Sequence, residues 1–138
     1  MKKYKVGYTT GVYDLFHAGH LNILKQAKTM CDYLIVGVTV DELVAYKGSA
    51  ALIPFEDRFE IIDSIKFVDK AVPQESMDKV SAWKLHKFDA MFVGSDWQNT
   101  DTWNSYEERF SALGVDIVYF DYTKRVSSTI LRDLLLKV

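Results

Sequence analysis

Runs of β-branched and aromatic residues alternate along the chain with segments whose packing positions recur every three to four residues. Tyr4–Thr10 is the first strand-type run. A helical segment follows His20, with Leu21, Leu24, Ala27 and Lys28 at three-and-four spacing. Tyr33–Val40 is almost continuously apolar and β-branched, as expected of a central parallel strand covered on both faces. Asp41–Ala51 reads as a loop with a short helical turn at Asp41–Val44. Pro54 starts a helix that runs to Lys66, with Glu56 and Asp57 in the first turn, the end that favours acids.

Phe67–Val72 reads as a short strand closed by Pro73, and Met77–Lys87 as a helix that packs through Val80, Trp83 and Leu85. Ala90–Val93 is a strand that breaks at Gly94. Thr102–Leu113 is a helix with Gly114 as its C-terminal stop. Val115–Phe120 is the last strand. A polar loop, Asp121–Arg125, then leads to a helix over Ser127–Leu136, capped by Ser127 or Ser128. Strands separated by helices pair in parallel through right-handed crossovers. The class is therefore α/β: one doubly wound, Rossmann-like domain of 138 residues with a five-stranded parallel sheet. The alternation by itself leaves the strand order open.

Composition narrows the function. The formal net charge is -2, with acids and bases interspersed, which argues against a nucleic-acid binder or a partner of anionic membranes. No apolar run approaches the roughly 20 residues that cross a bilayer, and no apolar segment follows the basic start Met1–Lys5, so a cytoplasmic protein is expected. The single cysteine, Cys31, lies between a helix and a strand and reads as a packed side chain.

The chemistry concentrates where strands end. Gly11-Val12-Tyr13-Asp14-Leu15-Phe16-His17-Ala18-Gly19-His20 joins the first strand to the first helix, at the carboxyl edge where doubly wound sheets bind ligands. His17 and His20 flank Gly19 there. They could cap the helix, share a metal with Asp14, or donate hydrogen bonds to phosphate oxygens that gain charge in a transition state. Gly19 would let a nucleotide approach closely. Lys47-Gly48 follows the central strand, and Arg58 is placed to grip a phosphate as a planar fork. Gly94-Ser95-Asp96-Trp97 offers a carboxylate and an indole to a nucleoside. Arg125-Val126-Ser127-Ser128-Thr129 opens the last helix with hydroxyls and unpaired N–H groups. Capping, surface pairing and a packed tryptophan are the plainer readings of these last groups.

Together these segments resemble the nucleotidyltransferase superfamily. Gly11–His20 is similar to its H-x-G-H signature, and the segment through Ser127, Ser128 and Thr129 to its R-T-E-G-I-S-T-T motif; Lys66-Phe67-Val68-Asp69 is similar to R-Y-V-D. The G-x-D-W form is most similar to the cytidylyltransferase family, in particular to bacterial members that act on glycerol 3-phosphate and are about this long.

The resemblance implies sheet order 3-2-1-4-5. It also implies transfer of CMP from CTP to a small phospho-alcohol, giving a CDP-alcohol such as CDP-glycerol, a precursor of cell-wall or surface polymers, and pyrophosphate. In the family pattern His17, His20 and Lys47 are catalytic, and Arg125 is expected to join them in place of the family's cation. Thr10, Gly11, Asp14, Gly19, Asp96, Trp97, Ser127, Ser128 and Thr129 hold the nucleotide, and Lys47 and Arg58 meet the acceptor phosphate. Mg²⁺ is expected to arrive with CTP, Asp14 being its candidate protein ligand, and a homodimer is expected, with the Lys66–Asp69 run near its contact. Two positions depart from the pattern: Val12 replaces a threonine, and Tyr122 stands where the family has arginine, while Arg125 replaces a glycine. An ATP-dependent adenylyltransferase of the same superfamily and a non-catalytic nucleotide-binding module are the alternatives.

Overall fold

A computed structural model describes residues 2–46, 50–121 and 128–136, the side chains of 46 and 128–131 excepted. In chain order the elements are β1 (Tyr4–Gly11), α1 (Ala18–Met30), β2 (Cys31–Thr39), α2 (Asp41–Tyr46), α3 (Phe55–Asp63), β3 (Lys70–Gln74), α4 (Lys79–His86), β4 (Ala90–Gly94), a 3₁₀ turn (Ser95–Trp97), α5 (Asp101–Ala112), β5 (Asp116–Phe120) and α6 (Ser128–Leu136). The five strands form one parallel sheet in the order β3-β2-β1-β4-β5. The chain steps outward from β1 to β3, then returns to the far side of β1 to lay down β4. That reversal opens a crevice at the carboxyl end of β1.

The period of the strands divides the core in two. On β2, Leu34, Val36 and Val38 pack into the layer that holds Leu24 and Ala27 of α1 and Ile62 of α3. Ile35 points the other way, into the layer of Phe88, Trp103 and Phe110. β4 splits likewise, with Phe92 in the first layer and Met91 and Val93 in the second. Both faces of the sheet are thus covered, as the unbroken apolar run of β2 required. Cys31 is buried where β2 begins, and burial raises its thiol pKa.

Three expectations shift. The strand expected at Phe67–Val72 is instead Lys70–Gln74, and Pro73 lies inside it. Proline is tolerated because β3 pairs only with β2 and is an edge strand. The Asp69 carboxylate, just before β3, accepts from the Leu34 N–H (2.7 Å) and from Lys28 Nζ (2.6 Å). Leu85, expected to pack, is 79% exposed, whereas Val80 and Trp83 of the same helix meet the second core layer. Positions 80 and 83 share a helical face that 85 does not. The first helix begins at Ala18, before His20 rather than after it. At the end of α5, Gly114 adopts φ +76°, donates to Ser111 O and acts as the expected stop.

Candidate functional site

The segment from β1 to α1 is a tight, strained loop. Tyr13 and Leu15 both adopt positive φ (56° and 51°), a conformation that costs a non-glycine residue roughly 1–3 kcal/mol. The surrounding contacts hold it. Tyr13 is buried, and its ring meets Phe16 and the edge of His20. Gly11 closes β1 beneath this ring, and a Cβ there would come within 2.9 Å of Tyr13.

The two histidines are built into the start of α1. His17 is the N-cap, and its Nδ1 accepts from the Gly19 N–H (3.0 Å). His20, the third helical residue, returns the contact: its Nδ1 accepts from the His17 N–H (3.3 Å). This is a capping box made of imidazoles in place of the usual hydroxyl and carboxylate. The rings stack with centroids 4.0 Å apart and planes 25° apart. A backbone N–H can only donate, so each Nδ1 must be unprotonated, and the neutral tautomer carries its proton on Nε2. Two parallel Nε2–H donors result, and the helix cap itself sets their tautomer.

Burial lowers the pKa of His17. Burial first, and the neighbouring His17 second, push His20 down to about 4, against an upward pull from Asp14. Both rings are therefore neutral donors at pH 7. An unfolded histidine titrates near 6.5, so between pH 6.5 and 4 the unfolded chain binds the extra proton. The His20 contribution to stability is full above that window and is lost as pH falls through it. A drop from pH 7 to pH 5 is expected to cost about 2 kcal/mol through His20. In thermal melts across pH, His20→Gln should remove most of that slope, because glutamine preserves the capping contact without titrating. The slope left over belongs to His17 and His86, which burial also lowers. An unchanged slope in His20→Gln would contradict the assignment.

Asp14, the candidate metal ligand, is turned toward donors of the protein itself. Its buried carboxylate accepts from the N–H groups of Leu52 and Ile53 (both 2.9 Å) and from Arg132 Nη2 (2.8 Å). Burial pushes its pKa up, but those donors outweigh it and hold the group below the ordinary carboxylate range. The charge is spent on ordering a loop. Among the described residues no cluster of three or more acidic, cysteine or histidine side chains could hold a metal ion.

Arg58 also departs from expectation. It is 1% exposed and lies beneath the crevice rather than in it. Nε donates to Ile53 O, Nη1 to Val12 O and Thr39 O (each 2.8 Å), and Nη2 to Asp41 Oδ1 (2.5 Å). Four of its five N–H groups are thereby used inside the protein. It ties the histidine loop, the end of β2 and the start of α3 together, and it is a strut rather than a phosphate contact.

The remaining positions fall as follows. Thr10, at the end of β1, accepts from Lys79 Nζ (3.3 Å), and Gly11 O accepts from the Thr39 hydroxyl (3.2 Å). Gly19 is buried in the first turn of α1. Asp96 and Trp97 occupy the exposed 3₁₀ turn after β4, at the carboxyl edge, with Trp97 53% exposed. Lys47, Arg125 and Ser127, the departures Tyr122 and Arg125, and the side chains of Ser128 and Thr129 lie outside the described residues. Α2 ends immediately before Lys47, and α6 begins at Ser128.

Two residues were not anticipated. Lys79, buried in the first turn of α4, brings an ammonium to Thr10 at the crevice floor. Arg132 reaches Asp14 across 118 positions of sequence. A signal existed for the second, since Arg132 lies four residues beyond Ser128 and so shares its helical face.

Known proteins place this geometry. The family described as cytidylyltransferase-like matches residues 8–134. Glycerol-3-phosphate cytidylyltransferase of Bacillus spizizenii is 32% identical over 123 residues, covering 88% of this chain and 89% of that protein. FAD synthase of Archaeoglobus fulgidus is 32% identical over 109 residues, covering 79% of each chain. Among solved structures, the lipopolysaccharide core biosynthesis protein of Thermoplasma volcanium aligns with a TM-score of 0.73 at 26% identity, over 89% of this chain and 99% of that one.

Proposed function

The chain belongs to the cytidylyltransferase-like family of nucleotidyltransferases, and we propose that it moves CMP from CTP onto glycerol 3-phosphate or a similarly small phospho-alcohol. The observation that carries the reading is the imidazole capping box. Two neutral rings, stacked 4.0 Å apart at the crevice, have their Nδ1 atoms occupied by backbone donors and their protons on Nε2. Such a pair suits the stabilisation of charge on phosphate oxygens and is poorly suited to accepting a proton. The relative from Bacillus spizizenii, matched over nearly its whole length, supports the acceptor and the base.

In this reading an oxygen of the acceptor phosphate attacks the α-phosphorus of CTP. The new P–O bond forms as the bond to the β-phosphate bridge breaks, and the electron pair leaves with pyrophosphate. The acceptor's second pKa is about 6, so it is largely dianionic at pH 7 and needs no general base. The protein's work is then alignment and charge stabilisation. His17 and His20 donate to oxygens of the reacting phosphates, and α6, with the hydroxyls of Ser127, Ser128 and Thr129, receives the β- and γ-phosphates. Lys47 bridges the two substrates, Arg125 adds a cation, and Asp96 and Trp97 face the nucleoside. Mg²⁺ comes bound to the triphosphate, because Asp14 is committed to Leu52, Ile53 and Arg132. The active species is a homodimer, which sedimentation of the full chain would test.

One relative, the FAD synthase, favours a second reading in which ATP is the nucleotide. A single experiment separates the two: CTP and ATP are offered in turn with a panel of phospho-alcohols, and products are identified by mass spectrometry. A CDP-alcohol formed only with CTP is expected. Turnover with ATP alone would replace the cytidylyl reading, and binding of CTP without any product would leave a nucleotide-binding module.

A further inference from the structure

Three segments of the crevice meet on one carboxylate. Asp14 stands in the histidine loop, Leu52 and Ile53 give it their N–H groups from the segment downstream of Lys47, and Arg132 of α6 gives it a charge. The same Arg132 nitrogen also donates to Ala50 O (2.8 Å), so one Nη2 atom closes both contacts. The Asp14 side chain is 5% exposed and that of Arg132 27%, so the carboxylate end of the pair is buried. Beyond Arg132, the described side chains of Leu134, Leu135 and Leu136 are 57, 56 and 72% exposed.

From this geometry we propose that Arg132 is a positioning residue, whose ion pair with Asp14 fixes where the first turn of α6 stands relative to His17 and His20. Arg132 lies one turn after Ser128, where α6 begins. A tether at that distance sets the position of the helix start. The histidines act near the α-phosphorus and the helix start near the β- and γ-phosphates, an assignment that rests on the function proposed above. The distance between them must match the length of the triphosphate, and the Asp14–Arg132 contact makes it constant. Because a single nitrogen makes both contacts, a lysine ammonium can stand in for the guanidinium at this position, although the two are not interchangeable where a fork is needed.

The test compares CTP with CMP, which lacks the β- and γ-phosphates, by calorimetric titration of the full chain without acceptor. In Arg132→Ala the Kd for CTP is expected to rise at least tenfold, about 1.4 kcal/mol, while the Kd for CMP stays within about twofold. Arg132→Lys should recover most of the CTP affinity. A merely structural role would weaken both nucleotides together. Equal losses for CTP and CMP, or no loss for either, would overturn the inference while leaving the function intact. If Arg132→Ala does not fold by circular dichroism, Arg132→Gln, which retains a neutral donor for Ala50 O, is read by the same CTP-to-CMP ratio. Wild-type protein that binds CTP no better than CMP would point instead to failure of the functional reading on which the inference stands.

Discussion

Replacing His17 with alanine is expected to lower kcat by about 10²–10³, the usual cost of one donor aimed at a developing oxyanion. Alanine also removes the acceptor for the Gly19 N–H and so unpicks the helix cap, which costs about 1 kcal/mol on its own. The two effects separate in His17→Asn. Asparagine is among the best N-cap residues, so the melting temperature should return to near that of the wild type. It cannot place a donor where Nε2–H stood, so turnover should stay low. Steady-state kinetics beside thermal melts of both variants check this. An asparagine variant within tenfold of wild-type kcat would show that His17 serves only the helix.

Arg58→Met is expected to cost about 3–5 kcal/mol of stability. Methionine fills much of the volume, but the carbonyls of Val12, Thr39 and Ile53 lose their donors in the interior, and Asp41 loses its partner. For a chain of this length that corresponds to a fall of roughly 10–20 °C in melting temperature. The folded fraction should keep a near-normal KM for the acceptor. A melting temperature within about 2 °C of wild type, together with a sharply raised acceptor KM, would return Arg58 to the phosphate-gripping role that its position in sequence proposed.

The contrast between these residues shows what the sequence could and could not convey. Periodicity placed the five strands and the crevice loops, because apolar β2 and the three-and-four spacing of α1 are local properties. It failed at Pro73, where edge position decides whether proline is tolerated, and edge position is a property of the sheet. Site residues divide along the same line. His17, Gly19 and His20 are close neighbours, and their spacing alone carries the geometry of the cap. Arg58 and Asp14 look identical in sequence to ligand-facing residues. Only the fold reveals that their partners include backbone groups of Val12, Thr39, Leu52 and Ile53 beside the side chains of Asp41 and Arg132. Arg132 and Lys79 were missed for the same reason, since each finds its partner on a distant element.

The histidine cap carries the central claim, that this crevice supports nucleotidyl transfer with neutral donors. Phosphorus NMR of one reaction tests it most directly: wild-type protein, CTP, glycerol 3-phosphate and Mg²⁺ at pH 7.5. The three CTP resonances should disappear while pyrophosphate and the paired signals of a CDP-alcohol diphosphate appear in equal amounts. Release of inorganic phosphate and CDP in their place, or a CTP spectrum unchanged while calorimetry shows the nucleotide bound, would contradict it.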